Sequence, residues 1–147
     1  MNSASSAASS TWHRVAGVLI AFWAGSVWTI CGIVAPMLFS LLADRHLAGE
    51  LAARFFFVVT VEGVCIGAAL LLLRYVCRIR TIAPSALYIA VGLPLASHVI
   101  LGPLMEQARA IGNMARFGML HGIAALCFVL ASAALVVLTW KFNHPAE

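Results

Sequence analysis

Four side chains that could bind a cation or a proton stand within long apolar stretches of the sequence. Glu62 and Cys65 lie about one helical turn apart in the segment VEGVC, and His98 and His121 lie in two later stretches. A charged carboxylate is costly in apolar surroundings, so Glu62 is expected to face neighbouring helices and find a partner, or to stay protonated. Glu62, His98 and His121 are therefore candidates for a polar site inside the protein. The alternative is that Glu62 is neutral and only stabilises helix packing, through a hydrogen bond to another helix.

The same side chains could hold a metal ion. Glu62, His98 and His121, with Cys65 nearby, make a plausible shell for copper or another soft metal. Two facing histidines could instead ligate a haem. No HxxxH, CxxC or ExxH spacing is present, so the sequence does not require a cofactor. Of the two candidates, the residues favour copper or another soft metal over haem. The thioether of methionine could also bind Cu(I). Four methionines lie toward the same predicted side of the membrane, at Met37, Met105, Met114 and Met119.

The composition sets the class of protein that must position these side chains. Of 147 residues, 63% are apolar and only 10% are charged, and the mean hydropathy is +1.03. A soluble domain averages about 45–50% apolar and about 25% charged residues. We therefore expect an integral membrane protein whose first partner is the lipid bilayer. The net charge of +4 comes from scattered arginines, which gives no support to nucleic-acid binding.

Four apolar stretches are long enough to cross a bilayer, which takes about 20 residues. They run approximately over 15–42, 55–73, 82–105 and 117–140. The short connections predict an all-α, antiparallel four-helix transmembrane bundle. The predicted domain covers residues 13–142, between a disordered Ser/Ala-rich tail over 1–12 and a short tail over 143–147. Leu47 to Arg54 contains no strong helix breaker, so the first loop is expected to continue as helix.

The distribution of basic residues gives a small preference for cytoplasmic termini. Four spans place both termini on one side, together with five basic residues, and the opposite side holds four. The positive-inside rule then favours a multi-pass protein of a bacterial inner membrane with both termini in the cytoplasm.

Small residues predict where helices approach each other closely. Gly63 and Gly67 form one GxxxG motif, and Gly118 and Gly122 form another. Such motifs serve either packing within the bundle or contact with a second copy or a larger membrane complex. On the fourth helix, His121 shares a face with Gly118, and this face is expected to point inward. Pro94 is expected to kink the third helix, and Pro36 the end of the first.

The order of several short motifs resembles one family. The sequence VAPMLF holds Pro36 and Phe39, the following loop holds LAGEL with Gly49, and Gly-Pro at 102–103 precedes the segment FGMLHG. This order resembles the bacterial relatives of transmembrane protein 205, which look distantly like copper-resistance D-type membrane proteins. The resemblance implies a four-span membrane domain and points to Pro36, Phe39, Gly49, Pro103, His121 and Gly122.

Three functional hypotheses follow. The first is transport or handling of a metal ion or small solute through a polar site formed by Glu62, His98 and His121. The second is a non-catalytic accessory subunit that docks onto a larger membrane complex, and it predicts a GxxxG face open to lipid. The third is a haem-bearing redox protein. No GxSxG, Walker or dinucleotide-binding motif is present, so the protein is not expected to be an enzyme.

Overall fold

The computed structural model describes residues 2–144, with side chains from Ser10 onward. Within these residues, six α-helices and two π-turns form four spans long and apolar enough to cross a membrane. Span 1 consists of α1 (Asn2–Thr29), the first π-turn (Ile30–Val34) and α2 (Ala35–Leu41). Span 2 is α3 (Arg45–Val76). Span 3 consists of α4 (Pro84–Ala96), the second π-turn (Ser97–Leu101) and α5 (Gly102–Ala110), and span 4 is α6 (Met114–Asn143).

The expected four-helix bundle is confirmed. The main contacts join span 1 to span 2, span 2 to span 3, span 3 to span 4 and span 4 back to span 1. Each span contributes a large, fully buried side chain to the centre: Trp23, Leu70, Leu87 and Leu135. The outer surface is apolar as well, with residues such as Phe22, Leu72, Val99 and Leu126 exposed. Apolar residues on both sides of each helix are what a bilayer-embedded bundle requires.

Helices α3 and α6 each begin at a polar cap. The Asp44 carboxylate accepts hydrogen bonds from the backbone N–H groups of His46 and Leu47, at 2.8 and 3.2 Å. The Asn113 side chain accepts one from the N–H of Arg116 at 3.0 Å. Such caps satisfy N–H groups that have no partner in the first helical turn. The prediction that helix continues through Leu47 to Arg54 is confirmed, because α3 begins immediately after Asp44.

The connection between spans 2 and 3 is closed by Arg74. Its guanidinium donates to the backbone carbonyls of Arg80, at 3.2 Å, and Ile82. Arg78 lies in the same connection with a positive φ of 56°, a conformation that non-glycine residues seldom adopt. The side chains of Tyr75 and Tyr88 lie close together at the two helix ends. Together these contacts hold spans 2 and 3 as a tight hairpin.

Spans 1 and 3 are interrupted in the same way. The Ala35 N–H bonds to the carbonyl of Ile30, and the Gly102 N–H bonds to that of Ser97, each reaching back five residues. The residue after Ala35 and the residue after Gly102 are both prolines, Pro36 and Pro103. The two interruptions lie 67 residues apart in the sequence. Proline has no N–H and its ring clashes with the preceding turn, and a π-turn is one way to accommodate it.

The expected disruptions near Pro36 and in span 3 are therefore present as π-turns. In span 3 the irregular turn begins three residues after Pro94, which itself lies within α4. Residues 2–12, where the sequence predicts a disordered tail, form the first turns of α1, and Asn143 of the predicted C-terminal tail ends α6. Met1 and residues 145–147 lie outside the described residues.

Candidate functional site

Glu62 lies near the middle of α3, beside a groove between spans 1 and 2. Span 1 lines the groove with small and hydroxylated residues, among them Ala21, Gly25, Ser26 and Thr29. The Oε1 atom of Glu62 has no exposed surface and no hydrogen-bond partner. The groove is open on its outer side, since Ala21, Gly25 and Thr29 are all exposed. Glu62 therefore meets a lateral opening of the bundle.

His98 lies on the outer surface of span 3, within the second π-turn. The side chain is exposed, and its ring packs against Phe57 of α3 with a centroid distance of 4.9 Å and an interplanar angle of 33°. This aromatic contact bridges spans 2 and 3. The adjacent residue, Ser97, is the buried one.

His121 also faces outward, which makes the prediction of an inward face wrong. His121, Gly118 and Ala125 are all exposed, whereas Leu120 and Ala124 are buried. The inward face of α6 is set by the larger apolar series that continues through Phe128, Leu135, Leu138 and Phe142. Small residues on a helix face allow another helix to approach closely, but they do not show whether that helix belongs to the same bundle.

His121 belongs to a stack of planar groups at the start of span 4. Its ring lies parallel to Phe117, with centroids 6.0 Å apart and an interplanar angle of 13°. The guanidinium carbon of Arg109 lies 4.7 Å from the centroid of the same Phe117 ring. A cation over an aromatic face is attracted by the ring quadrupole. The stack fixes this end of α6 to α5.

The metal shell suggested by Glu62, His98, His121 and Cys65 is not assembled. Within residues 10–144, no group of three or more His, Cys, Asp or Glu side chains could hold a metal ion. Cys65 is exposed. The two histidines lie on the outside of different spans and pack against phenylalanines, so His98 and His121 do not face each other as a pair of haem ligands would.

The centre of the bundle is closed and apolar. Its small void is lined from all four spans, with Trp23, Val59, Ala90 and Phe128 among the contributors. The lining also includes Thr60, whose hydroxyl donates to the Phe56 carbonyl at 2.7 Å. No ionisable side chain lines this void.

The two GxxxG motifs have opposite surroundings. A Cβ atom on Gly63 would lie 2.9 Å from the Trp23 indole nitrogen, and one on Gly67 would lie 2.5 Å from a Val91 methyl group. These two glycines let spans 1 and 3 approach span 2. Gly118 and Gly122 have no atom within 4 Å of the Cβ position, and both are exposed. One motif is used inside the bundle, and the other stands open.

The residues to which the family resemblance points lie in different parts of the bundle. Pro36 and Pro103 are the second residues of α2 and α5, one residue beyond the π-turns. Phe39 is half-buried in α2, and Gly49 is half-buried in α3 with no atom within 4 Å of its Cβ position.

Sequence reasoning missed several polar residues that contact the π-turns and the groove. Cys31 in the first π-turn lies beside Ser132 of span 4. Ser26 and Thr29 face Glu62 from span 1. Their spacing of three residues indicates a shared helical face, but only the packing of span 1 against span 2 shows that Glu62 lies opposite that face.

Comparison with known families adds to this geometry. The profile of a domain of unknown function, DUF4149, matches residues 18–114. The chain belongs to the DUF4149 family. The matched region includes spans 2 and 3 completely, with Glu62, His98, Pro36 and Pro103, and it ends where α6 of this DUF4149 protein begins. Gly118, His121 and Gly122 lie beyond it.

No curated protein and no solved structure matches the chain at a significant level. The family assignment and the four spans together define a small multi-pass integral membrane protein.

Proposed function

We propose that this DUF4149 protein is a non-catalytic subunit that docks onto a transmembrane helix of a larger membrane complex. The observation that carries the proposal is the open GxxxG motif of span 4. Lipid offers no hydrophobic drive for helix association, so small residues that allow close backbone packing are a common basis for contact. Within the described residues, no other part of the chain occupies the space over Gly118 and Gly122.

The chemistry of the partner follows from His121. Its imidazole lies on the same exposed face as the two glycines and is stacked only on one side, against Phe117. Polar side chains at helix contacts in membranes gain about 1 kcal/mol from a hydrogen bond across the interface. The fitting partner is a transmembrane helix with small residues and a hydrogen-bonding side chain at the depth of His121.

The other two functional hypotheses have less support. Transport of a metal ion or solute through the bundle needs an interior polar site, whereas Glu62, His98 and His121 lie toward the outside. Metal handling therefore rests on the resemblance to relatives of transmembrane protein 205 and copper-resistance D-type proteins. The haem hypothesis lacks a facing pair of histidines. The bacterial inner membrane with cytoplasmic termini remains our proposed location.

Two leucine substitutions test the docking surface. Gly122→Leu fills the open face of span 4, and Gly92→Leu is the matched control, since Gly92 is also exposed with no atom within 4 Å of its Cβ position. Both variants should keep the fold, because leucine is a better helix former than glycine. The tagged full-length chain would be extracted from its native membrane in mild detergent and sized by native electrophoresis.

The wild type and Gly92→Leu should run as one larger species that contains a second membrane protein, identified by mass spectrometry. Gly122→Leu should run as the free chain. The proposal is overturned if the wild type itself runs as the free chain, if Gly122→Leu keeps the larger species, or if that species contains only copies of this chain.

A further inference from the structure

The docking surface on span 4 leaves Glu62 unexplained. Glu62 lies eight residues from Arg54 and twelve from Arg74 along α3, or about 12 Å and about 18 Å at 1.5 Å per residue. The hydrocarbon core of a bilayer is about 30 Å thick. The carboxyl group is therefore placed deep in the membrane, where an ionised side chain needs a partner.

The surroundings of Glu62 supply no positive charge. The groove is lined from span 1 by Ala21, Phe22, Gly25, Ser26, Thr29 and Ile30, none of which is ionisable. Among the described residues, the one ion pair joins His46 and Glu50, far from this depth. Oε1 of Glu62 has neither exposed surface nor a hydrogen-bond partner. An ionised carboxylate would stay uncompensated here.

A bound divalent cation does not resolve this situation. The possible oxygen ligands in the groove are the carboxyl group and the hydroxyls of Ser26 and Thr29. Divalent cations such as Ca²⁺ and Mg²⁺ take about six or more oxygen ligands in proteins. A proton needs only one carboxylate oxygen, and a neutral carboxyl group can donate to a hydroxyl oxygen across the groove.

We propose that Glu62 is a proton-binding site that opens sideways from the bundle toward the bilayer. The carboxyl group is neutral at rest, and its O–H is reached through the groove over Gly25. The groove lining includes Gly25 and Ala21, which carry little or no side chain, together with Phe22 and Ile30. The site is separate from the docking surface, because it lies between spans 1 and 2.

A bilayer-soluble carbodiimide, dicyclohexylcarbodiimide, tests the proposal directly. It reacts with a protonated carboxyl group: the proton moves to one carbodiimide nitrogen and the carboxylate oxygen bonds to the central carbon, which gives an O-acylisourea. Migration of the acyl group from oxygen to nitrogen then yields a stable N-acylurea. Nothing leaves and no oxidant is needed, so the protein gains the mass of one whole reagent molecule.

Labelling would be carried out on the full chain in native membranes and located by peptide mass spectrometry. The wild type should carry the adduct on Glu62, and Glu62→Gln should carry none in that peptide. Asp44, Glu50 and Glu106 are exposed and lie at or near the ends of spans, so they serve as internal controls. They should react with a water-soluble carbodiimide and an added amine, whereas Glu62 should not.

Access through the groove is tested by Gly25→Leu. Gly25 has no atom within 4 Å of its Cβ position, so leucine fits there and covers the path to Glu62. Labelling of Glu62 should fall several-fold in this variant and stay unchanged in Gly92→Leu. Equal melting temperatures of the three proteins in detergent would establish that the difference is not a folding defect.

Three outcomes would overturn the inference. An unlabelled wild type means that Glu62 is not a free carboxylic acid. Equal labelling of Gly25→Leu means that the reagent does not enter by this groove. Protection of Glu62 by sodium chloride, but not by equal potassium chloride, means that the site takes a sodium ion instead of a proton.

Discussion

Gly63 and Gly122 belong to the same kind of motif and should respond to the same substitution in opposite ways. Gly63→Ala would place a methyl group 2.9 Å from the buried Trp23 indole. Overpacking of this kind costs about 1–3 kcal/mol, more than the gain in helix propensity of about 1 kcal/mol. We expect Gly63→Ala to lower the melting temperature in detergent and Gly122→Ala to leave it unchanged or raise it. Equal effects would mean that Gly63 is not a packing glycine.

Arg78 offers a stabilising substitution. Its φ of 56° is in the left-handed region, which costs an L-residue roughly 1–2 kcal/mol, while glycine loses up to about 1 kcal/mol through the greater freedom of the unfolded chain. Arg78→Gly should therefore stabilise the protein slightly, by up to about 1 kcal/mol. Arg80→Gly removes the same charge from the same connection but relieves no backbone strain, so it should destabilise the protein. Thermal unfolding of both variants in detergent measures the difference.

Individual residues show where prediction from the sequence ended. Counting residues along each helix places Glu62, His98 and His121 within the apolar stretches. It does not give their direction, because each span is apolar on nearly every side and the usual polar face is missing. For His121, the larger residues Leu120 and Phe128 decided the inward face. For Glu62, the deciding factor was the position of Ser26 on another span.

At the scale of elements, the four spans were predictable and their interruptions were only partly so. Long apolar stretches define spans, and Asp44 defines the start of α3. Proline predicts a disruption without giving its form. The sequence does contain a signal for both π-turns: Ile-Val-Ala-Pro over 33–36 reappears as Ile-Leu-Gly-Pro over 100–103. Read together, these segments indicate that spans 1 and 3 share one interrupted design.

The prolines after the π-turns should control local opening of the helices. Pro36→Ala restores a backbone N–H, so we expect span 1 to close toward regular helix and hydrogen exchange over 30–41 to slow. Pro103→Ala should do the same over 97–110. Each substitution should leave the other π-turn unchanged. Hydrogen exchange followed by mass spectrometry measures all of these segments.

Pro84→Ala is the control for that experiment. Pro84 occupies the first turn of α4, where the missing N–H would have had no partner within the helix. Exchange there should change little. Unchanged or faster exchange over 30–41 in Pro36→Ala would show that packing, and not the proline, holds the π-turn.

At the scale of the whole molecule, composition determined the class and the short loops determined the bundle. The function of the outer surface was harder to predict, since it depends on which glycines the bundle uses for itself. Span 2 uses Gly63 and Gly67 against Trp23 and Val91. Only after that packing is known does the span 4 motif stand out as unused.

The orientation of the bundle should be sensitive to very few charges. Five basic residues lie on the side of the termini and four on the other, and the positive-inside rule acts through such differences. A green fluorescent protein fused to the C-terminus should fluoresce in bacteria, and alkaline phosphatase fused there should be inactive.

Replacing Arg78 and Arg80 by Gln reverses the balance and should shift a share of the molecules to active phosphatase. Replacing Arg45 and Arg54 by Gln removes the same number of charges from the opposite side and should strengthen the original orientation. Phosphatase activity in the unmodified sequence would contradict the cytoplasmic placement of the termini, and an unchanged ratio in both double variants would show that these arginines do not set it.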